Sequence, residues 1–272
     1  MKESIETALT IPSSTVLLIR DDIDQLEVFM VTRNSGIDFA GGALVYPGGK
    51  VDPGDLMPGL EEYCEGVEGL SDSEVASRVC GIRELFEEAG FLLAREENQT
   101  QLVDGARCKD LDRLYRESLL AGNISMRRLV EKEGLVLACD CMVPFAHWIT
   151  PPGFPKRFDT WFYLARAPNG QEGSHDNSES INSTWISPDK ALAGARNGLY
   201  TIVFATRMNL LKLGRSAKVE IALRRAKNDK IVTVEPKIER TEAGVSFSIP
   251  LEAGYGIGTE LETNGSTQVP AN

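Results

Sequence analysis

The segment from Ser71 to Gly90 constrains the fold most, because the start, the end and the buried face of one helix can all be identified in it. Ser71 and Glu74 have the spacing of a capping box. Gly90 stands where a C-terminal cap belongs. The pattern predicts a helix from about residue 71 to residue 89 with one buried stripe. The residues of this stripe are Val75, Val79, Ile82, Phe86 and Ala89.

Three acidic side chains, Glu84, Glu87 and Glu88, crowd the end of this helix. At about 100° per residue they project from the side opposite the buried stripe. Like charges at this spacing repel one another, and glutamates are unfavourable near a helix C-terminus. A solvated acidic face is the ordinary interpretation of such a cluster, but these costs favour a function. Carboxylates at this spacing can share Mg²⁺ or a similar hard cation, which takes oxygen ligands.

The remaining sequence alternates between strand and helix patterns, which predicts a mixed α/β chain, most simply an α/β/α sandwich. Strands are expected in the following segments: 14–22 and 26–33 as a hairpin, then 43–46, 91–94, 141–150, 158–167 and 183–187, with a closing hairpin over 231–251. Helices are expected at 110–122, 126–134 and over 188–228.

The charge and the cysteines limit the function classes. The formal net charge is −11, which argues against a nucleic-acid or anionic-membrane surface. Five irregularly spaced cysteines without a CxxC motif indicate reduced thiols, and Cys139 and Cys141 are expected as small residues on one face of a strand. Zinc is not expected. The first residues lack the apolar core of a signal peptide and the longest aliphatic run is short, so a cytoplasmic protein is expected.

The run RELFEEAGF, from Arg83 to Phe91, resembles the second half of the Nudix box, G-x5-E-x7-R-E-U-x-E-E-x-G-U, where U is a bulky aliphatic residue. The usual glycine, fourteen residues before Arg83, would be Gly69, but Val75 then stands where an acid belongs. The segment PGGKVDPGD supplies the better match, because Gly49 and Asp55 read G-x5-D. The box is then split over 49–91. This arrangement resembles one branch of the Nudix hydrolase family, which contains a peroxisomal coenzyme A diphosphatase.

The resemblance implies a hydrolase of diphosphates that uses Mg²⁺ or Mn²⁺. It implies that the metal ligands are the Gly49 carbonyl, Glu84, Glu87 and Glu88, and that Arg83 orients a neighbouring glutamate. Glu84, Glu88 and Glu179 are the expected catalytic residues.

The identity of the general base stays open between Glu84 and Glu179, the latter in a loop where the family often places an acid. His175 and Asp176 are weaker candidates in the same loop.

The substrate is less constrained. Tyr46-Pro47-Gly48-Gly49 fits the end of a coenzyme A pattern, whereas the arginine expected before it is Asp38. The expected substrate is coenzyme A or acyl-coenzyme A. The alternatives are an ADP-ribose or dinucleotide pyrophosphatase, and a non-catalytic sensor module with the same fold. An isomerase with the same fold would require a catalytic cysteine in the cleft, and none of the five cysteines lies in a recognisable motif. The expected substrate contacts are Arg33, Tyr46, Lys50 and Arg157, with Lys156 as a further basic candidate.

The predicted organisation has a Nudix domain over 10–200 with inserts at about 56–70 and 106–134. A C-terminal extension over 201–258 should pack on this domain, and a disordered tail should follow over 259–272. The expected partner is a small-molecule diphosphate. No nucleic acid or membrane partner is expected, and a homodimer is left open.

Overall fold

The computed structural model describes residues 8–33, 42–174, 180–242 and 244–262. Within these ranges a mixed eight-stranded sheet lies between two layers of helices, which confirms the predicted α/β/α sandwich. Two three-stranded sheets accompany it. No helix in the described ranges has the length and apolar character to span a bilayer.

The strands, in chain order, are β1 (Thr10–Asp21), β2 (Leu26–Arg33), β3 (Leu44–Val45), β4 (Gly48–Lys50), β5 (Cys64–Glu65), β6 (Ala94–Glu96), β7 (Leu135–Ala138), β8 (Val143–Ile149), β9 (Arg157–Arg166), β10 (Ser180–Ile186), β11 (Thr233–Val234), β12 (Lys237–Thr241), β13 (Gly244–Ser248) and β14 (Thr259–Glu262). The α-helices are α1 (Asp72–Ala89), α2 (Gly105–Leu111), α3 (Glu117–Leu120), α4 (Met126–Glu133), α5 (Pro188–Arg196), α6 (Phe204–Leu213) and α7 (Val219–Asn228).

The main sheet has the order β10-β2-β1-β9-β8-β11, with β3 on β2 and β4 on β1. The central pair, β1 and β9, is parallel from Thr10 beside Arg157 to Ile19 beside Arg166. Side chains alternate between the faces of β1, as a strand buried on both sides requires. Val16 and Leu18 therefore pack toward α1, whereas the intervening Leu17 joins the second core on the other face.

Both predicted ends of α1 are confirmed. The Ser71 N–H donates to the Glu74 carboxylate at 2.9 Å, and Gly90 closes the helix in the left-handed conformation with φ of 71°. The buried stripe is also confirmed, since Val79, Ile82, Phe86 and Ala89 are fully buried. The stripe fixes α1 against β1 and thereby sets the direction in which the acidic side chains point.

The second helical layer comes from α5, α6 and α7. Met208, Leu213 and Val219 are buried in the core on the far face of the sheet, and β11 pairs with β8. Residues of the predicted C-terminal extension therefore form part of the sandwich core. The division of the chain at residue 200 stays a prediction.

Three local expectations are corrected. Phe91–Leu93 is buried but not a strand, which begins only at Ala94. Cys139–Cys141 is a 3₁₀ turn rather than a strand. The segment 56–70 packs on the fold, because Leu60 and Cys64 are buried and β5 pairs with β7, and its status as an insert stays a prediction. The predicted disordered tail begins with an ordered strand, β14, because its backbone pairs with β13.

Candidate active site

The glycine-rich loop lies directly on the acidic end of α1. The Gly48 N–H donates to Glu88 Oε2 at 3.0 Å, and Arg83 Nη2 donates to the Lys50 carbonyl at 2.9 Å. Strand β4 is held in this place by β1, with Gly49 paired to Ser14. The two halves of the split Nudix-like box therefore meet in space, although the 56–70 segment and the first turns of α1 separate them in the chain.

Gly49 stands where no side chain fits. A β-carbon on Gly49 would lie 2.3 Å from Glu84 Oε1, far inside van der Waals contact. The same loop residue accepts a weak hydrogen bond from the Cys80 thiol, at 3.7 Å from Sγ to the carbonyl oxygen. The absence of a side chain allows the Glu84 carboxylate to lie against the loop backbone.

Arg83 is the hub of the site. Its guanidinium donates to both oxygens of Asp55, at 2.9 Å and 3.0 Å. Its Nη1 donates to Glu84 Oε1 at 2.9 Å and to Glu87 Oε2 at 2.8 Å. One cation is thus shared by three carboxylates, with Glu88 close by on Gly48. This geometry agrees with the orienting function that the sequence analysis assigns to Arg83.

The acids are buried rather than displayed on a surface. Glu87 and Glu88 are only 7% and 3% exposed, because the glycine-rich loop covers them. Burial raises the pKa of Glu84 to about 7, with the Arg83 charge lowering it and the Glu87 charge raising it further. Burial likewise raises the pKa of Glu87. The negative forms of Glu84 and Glu87 are thus disfavoured in this site, and a bound cation would stabilise those forms.

The donor set fits a hard divalent cation, although the described residues contain no group of three or more acidic, histidine or cysteine side chains already arranged around one metal position. Glu84 and Glu87 each give one oxygen to Arg83. The oxygen-only chemistry of the carboxylates and the Gly49 carbonyl matches the preferences of Mg²⁺ and Mn²⁺.

The predicted substrate residues separate into two groups. Arg33 and Tyr46 line one cavity of about 250 Å³, which Gly48 also borders. Tyr46 is buried, and its hydroxyl donates to the Thr206 carbonyl at 3.3 Å. Lys50 is exposed, and its described contact with the site is made by its backbone.

Arg157 is corrected as a substrate contact. Its three nitrogens donate to the Thr150 carbonyl, the Ala8 carbonyl and Glu235, the last at 2.6 Å. Its side chain is 9% exposed in that ion pair. Arg157 therefore fixes the start of β9, and its guanidinium serves the fold. Glu179, His175, Asp176 and Asp38 lie outside the described residues.

The aromatic walls of the cavity are functional candidates that sequence reasoning missed. They include Trp148, Phe158, Phe162, Phe204 and Phe247. These residues come from β8, β9, α6 and β13, so only the tertiary fold unites them. In the sequence each one reads as an ordinary apolar core residue.

The sandwich and the loop-on-helix acid cluster define a Nudix-type protein. A crystal structure of a NUDIX hydrolase from Alicyclobacillus acidocaldarius has the same fold, with a TM-score of 0.65 and 24% identity over 80% of this chain and 96% of that one. Residues 64–200 match the family model described as the NUDT19 Nudix domain. The chain therefore belongs to the Nudix family, in the branch that resembles NUDT19.

Two curated relatives extend this comparison. The Caenorhabditis elegans protein named "Putative nudix hydrolase 7" is 28% identical over 175 residues, which are 64% of this chain and 51% of that protein. The "Acyl-coenzyme A diphosphatase NUDT19" of Xenopus laevis is 23% identical over 93% of this chain and 77% of its own length. The chain thus spans about half of the worm relative and about three quarters of the frog one.

Proposed function

We propose that the protein is a metal-dependent diphosphatase that cleaves the diphosphate linkage of a nucleoside diphosphate derivative. The observation that carries this proposal is the contact between the glycine-rich loop and the acidic helix end, where Gly48 binds Glu88 and Gly49 lies on Glu84. Membership of the Nudix family supports it. A sensor module would be expected to lose the metal-binding acids, whereas Glu84, Glu87 and Glu88 are all present in this chain.

Glu84, Glu87, Glu88 and the Gly49 carbonyl would hold Mg²⁺ or Mn²⁺. When bound, the cation neutralises charge on the diphosphate and lowers the pKa of the attacking water. Arg83 holds the Glu84 and Glu87 carboxylates in place through its two bonds from Nη1. Its bidentate pair with Asp55 in turn fixes the guanidinium plane.

The reaction is an attack of water on one phosphorus of the diphosphate. The water oxygen forms a bond to phosphorus, the bond from phosphorus to the bridging oxygen breaks, and each half leaves with one phosphoryl group of the former diphosphate. A carboxylate must take the proton from the attacking water. Glu84 is one candidate for this function, because its carboxylate lies in the cluster against the glycine-rich loop. Glu179 is the alternative base, which the family pattern suggests.

For the substrate we propose coenzyme A or acyl-coenzyme A. The frog relative carries the name of an acyl-coenzyme A diphosphatase, and a mainly apolar cavity adjoins the site at Gly48. The alternative, an ADP-ribose or dinucleotide substrate, has a polar sugar or a second nucleoside in place of the apolar arm. The missing arginine at Asp38 gives this alternative weight.

A substrate panel tests this proposal. Coenzyme A, octanoyl-coenzyme A, ADP-ribose, NADH and a dinucleoside polyphosphate are each incubated with Mg²⁺ and with Mn²⁺, and the products are separated by chromatography. We expect two products from each coenzyme A compound, adenosine 3′,5′-bisphosphate and the phosphorylated pantetheine or acyl-pantetheine half, and no products in excess EDTA. Cleavage of no compound with either metal would remove the proposed activity.

A further inference from the structure

The cavity beside the acid cluster runs along the face of the sheet that is opposite α1. Gly48 and Thr15 border one part of it, and Trp148 and Phe162 form part of its floor. Gly48 is also the residue whose N–H holds Glu88. A substrate with its diphosphate at the glutamates can therefore pass one of its arms past Gly48 into this cavity.

The remaining wall comes from residues beyond 200. Phe204 of α6 and Phe247 of β13 stack on each other, with ring centroids 4.6 Å apart and an angle of 23°. Trp148 meets Phe204 edge to face at 5.8 Å, and its Nε1 donates to the Tyr255 hydroxyl at 2.8 Å. The C-terminal elements thus form a fixed part of the cavity. Phe204, Phe247 and Tyr255 lie outside the region 64–200 that matches the family model.

The form of this wall selects the kind of group that it binds. Phe204 and Phe247 each cover one face of the other's ring, so those two faces are not open for stacking on a flat base. The other lining residues are mainly aliphatic, aromatic or threonine side chains. Among the described residues that line the cavity, Arg33 alone has a cationic side chain. A second negatively charged group of the ligand would therefore find little positive charge in the cavity. Such a surface suits an uncharged aliphatic chain.

We infer that this cavity binds the acyl-bearing, non-nucleotide arm of the substrate, and that Phe204 and Phe247 set the preference for its apolar part. The inference rests on the proposed function for the position of the diphosphate. It assigns to the C-terminal elements a function in specificity that the family match does not cover. The nucleotide arm then lies outside this cavity.

A variant that partly fills the cavity tests this inference and leaves the aromatic lining residues in place. Ala205 lines the cavity between Phe204 and Thr206, so Ala205→Leu narrows it. We expect KM for octanoyl-coenzyme A to rise about 10-fold or more, and KM for coenzyme A, whose shorter arm fills less of the cavity, to rise clearly less. Phe247→Leu should shift the preference in the same direction. The matched control is Phe145→Leu, a buried phenylalanine on the same face that lies outside this cavity.

The inference is overturned if Ala205→Leu changes KM for both compounds equally, or if the Phe145→Leu control shifts the preference as much as Phe247→Leu. Either result would mean that the acyl group lies elsewhere or that the effect is general.

Direct binding separates this inference from the proposed activity. Trp148 lines the cavity, so a variant that retains Trp148 as its only tryptophan reports on occupancy by fluorescence. In excess EDTA, octanoyl-coenzyme A should change the emission saturably and at a lower concentration than coenzyme A, and ADP-ribose should have little effect. An equal response to ADP-ribose would overturn the inference, since the nucleotide arm would then occupy the cavity. Saturable octanoyl-coenzyme A binding in EDTA, combined with no hydrolysis when Mg²⁺ or Mn²⁺ is supplied, would reject the proposed function and leave the cavity assignment standing.

Discussion

Arg83 and Asp55 form a bidentate ion pair, with Nε and Nη2 at 2.9 Å and 3.0 Å from the two carboxylate oxygens, across 28 positions of sequence. Asp55 also accepts from the Asp52 N–H at 2.9 Å, which closes the turn that carries the glycine-rich loop. The pair thus joins the turn to α1. Asp55 is the acid that completes the G-x5-D pattern from Gly49. The ion pair therefore favours the alignment of the box that starts at Gly49 over the alignment that starts at Gly69.

Loss of Arg83 should therefore destabilise the fold as well as the site. Arg83→Gln leaves the Asp55 carboxylate, only 1% exposed, without its partner, together with two further buried acids. Breaking a buried ion pair from one side typically costs about 3–5 kcal/mol. Urea unfolding should show a loss of this order. Arg113→Gln is the matched control, because its pair with Asp110 is exposed and should contribute less than about 1 kcal/mol. Equal losses of unfolding free energy in the two variants would show that the buried ion pair contributes no more to stability than the exposed one.

Alanine at the two loop glycines should have different consequences. A β-carbon at Gly48 would lie 2.5 Å from the Ser14 carbonyl oxygen, which is backbone and cannot move aside. Gly48→Ala should lose about 1–3 kcal/mol of unfolding free energy. At Gly49 the clash is with the mobile end of Glu84. Gly49→Ala should keep most of its stability and lose about 10²-fold or more in kcat, because Glu84 is displaced. Denaturation and kinetics on both variants check this contrast, and the reverse order of effects would contradict it.

Metal binding can be measured without any substrate. Mg²⁺ or Mn²⁺ bound by the folded state alone stabilises it by about 2.7 kcal/mol at a concentration of 100 Kd. The melting temperature of the metal-free protein should therefore rise by several degrees on titration with Mn²⁺. Glu87→Gln should shift the titration to higher Mn²⁺, whereas Glu74→Gln at the other end of α1 should titrate like the wild type. Identical titrations for all three proteins would place the metal away from this cluster.

The two candidate bases differ in their response to metal. Glu179→Gln should lose about 10²–10⁴-fold in kcat if Glu179 is the base, and excess Mn²⁺ should not restore it. Glu87→Gln should be partly restored, because its defect is in metal affinity. Wild-type turnover in Glu179→Gln would remove Glu179 from the mechanism, and Glu84 would then become the leading candidate for the base.

Local signals in the sequence predicted much of this fold. The capping box at Ser71, the cap at Gly90 and the apolar stripe of α1 depend on neighbours within a few residues, and all three are confirmed. Strand β14 was missed because its polar sequence carries no core pattern, whereas in the structure it pairs with β13 and its Glu260 forms an ion pair with Arg207.

The sequence predicted which side chains form the candidate site, but it did not predict how deeply they are buried. The motif named the glutamates, but their burial depends on the loop 48–50, which comes from a distant part of the sequence. Arg157 was predicted as a substrate contact because the sequence shows its positive charge. The sequence does not show that Glu235, 78 positions away, lies beside it in the fold. Arg33 and Tyr46 were predicted as substrate contacts and line the cavity, but its aromatic walls were missed, since they come from four separate elements.

The turnover of Glu88→Gln tests the central claim most directly. Glutamine keeps an oxygen that can accept the Gly48 N–H, so the loop should stay in place while one negative charge is lost. With the best substrate of the panel and Mg²⁺, we expect kcat to fall about 10²-fold or more with unfolding free energy within about 1 kcal/mol of the wild type, because only the ligand charge is removed. Wild-type turnover in Glu88→Gln would contradict the account, because the acid cluster would then have no part in the chemistry.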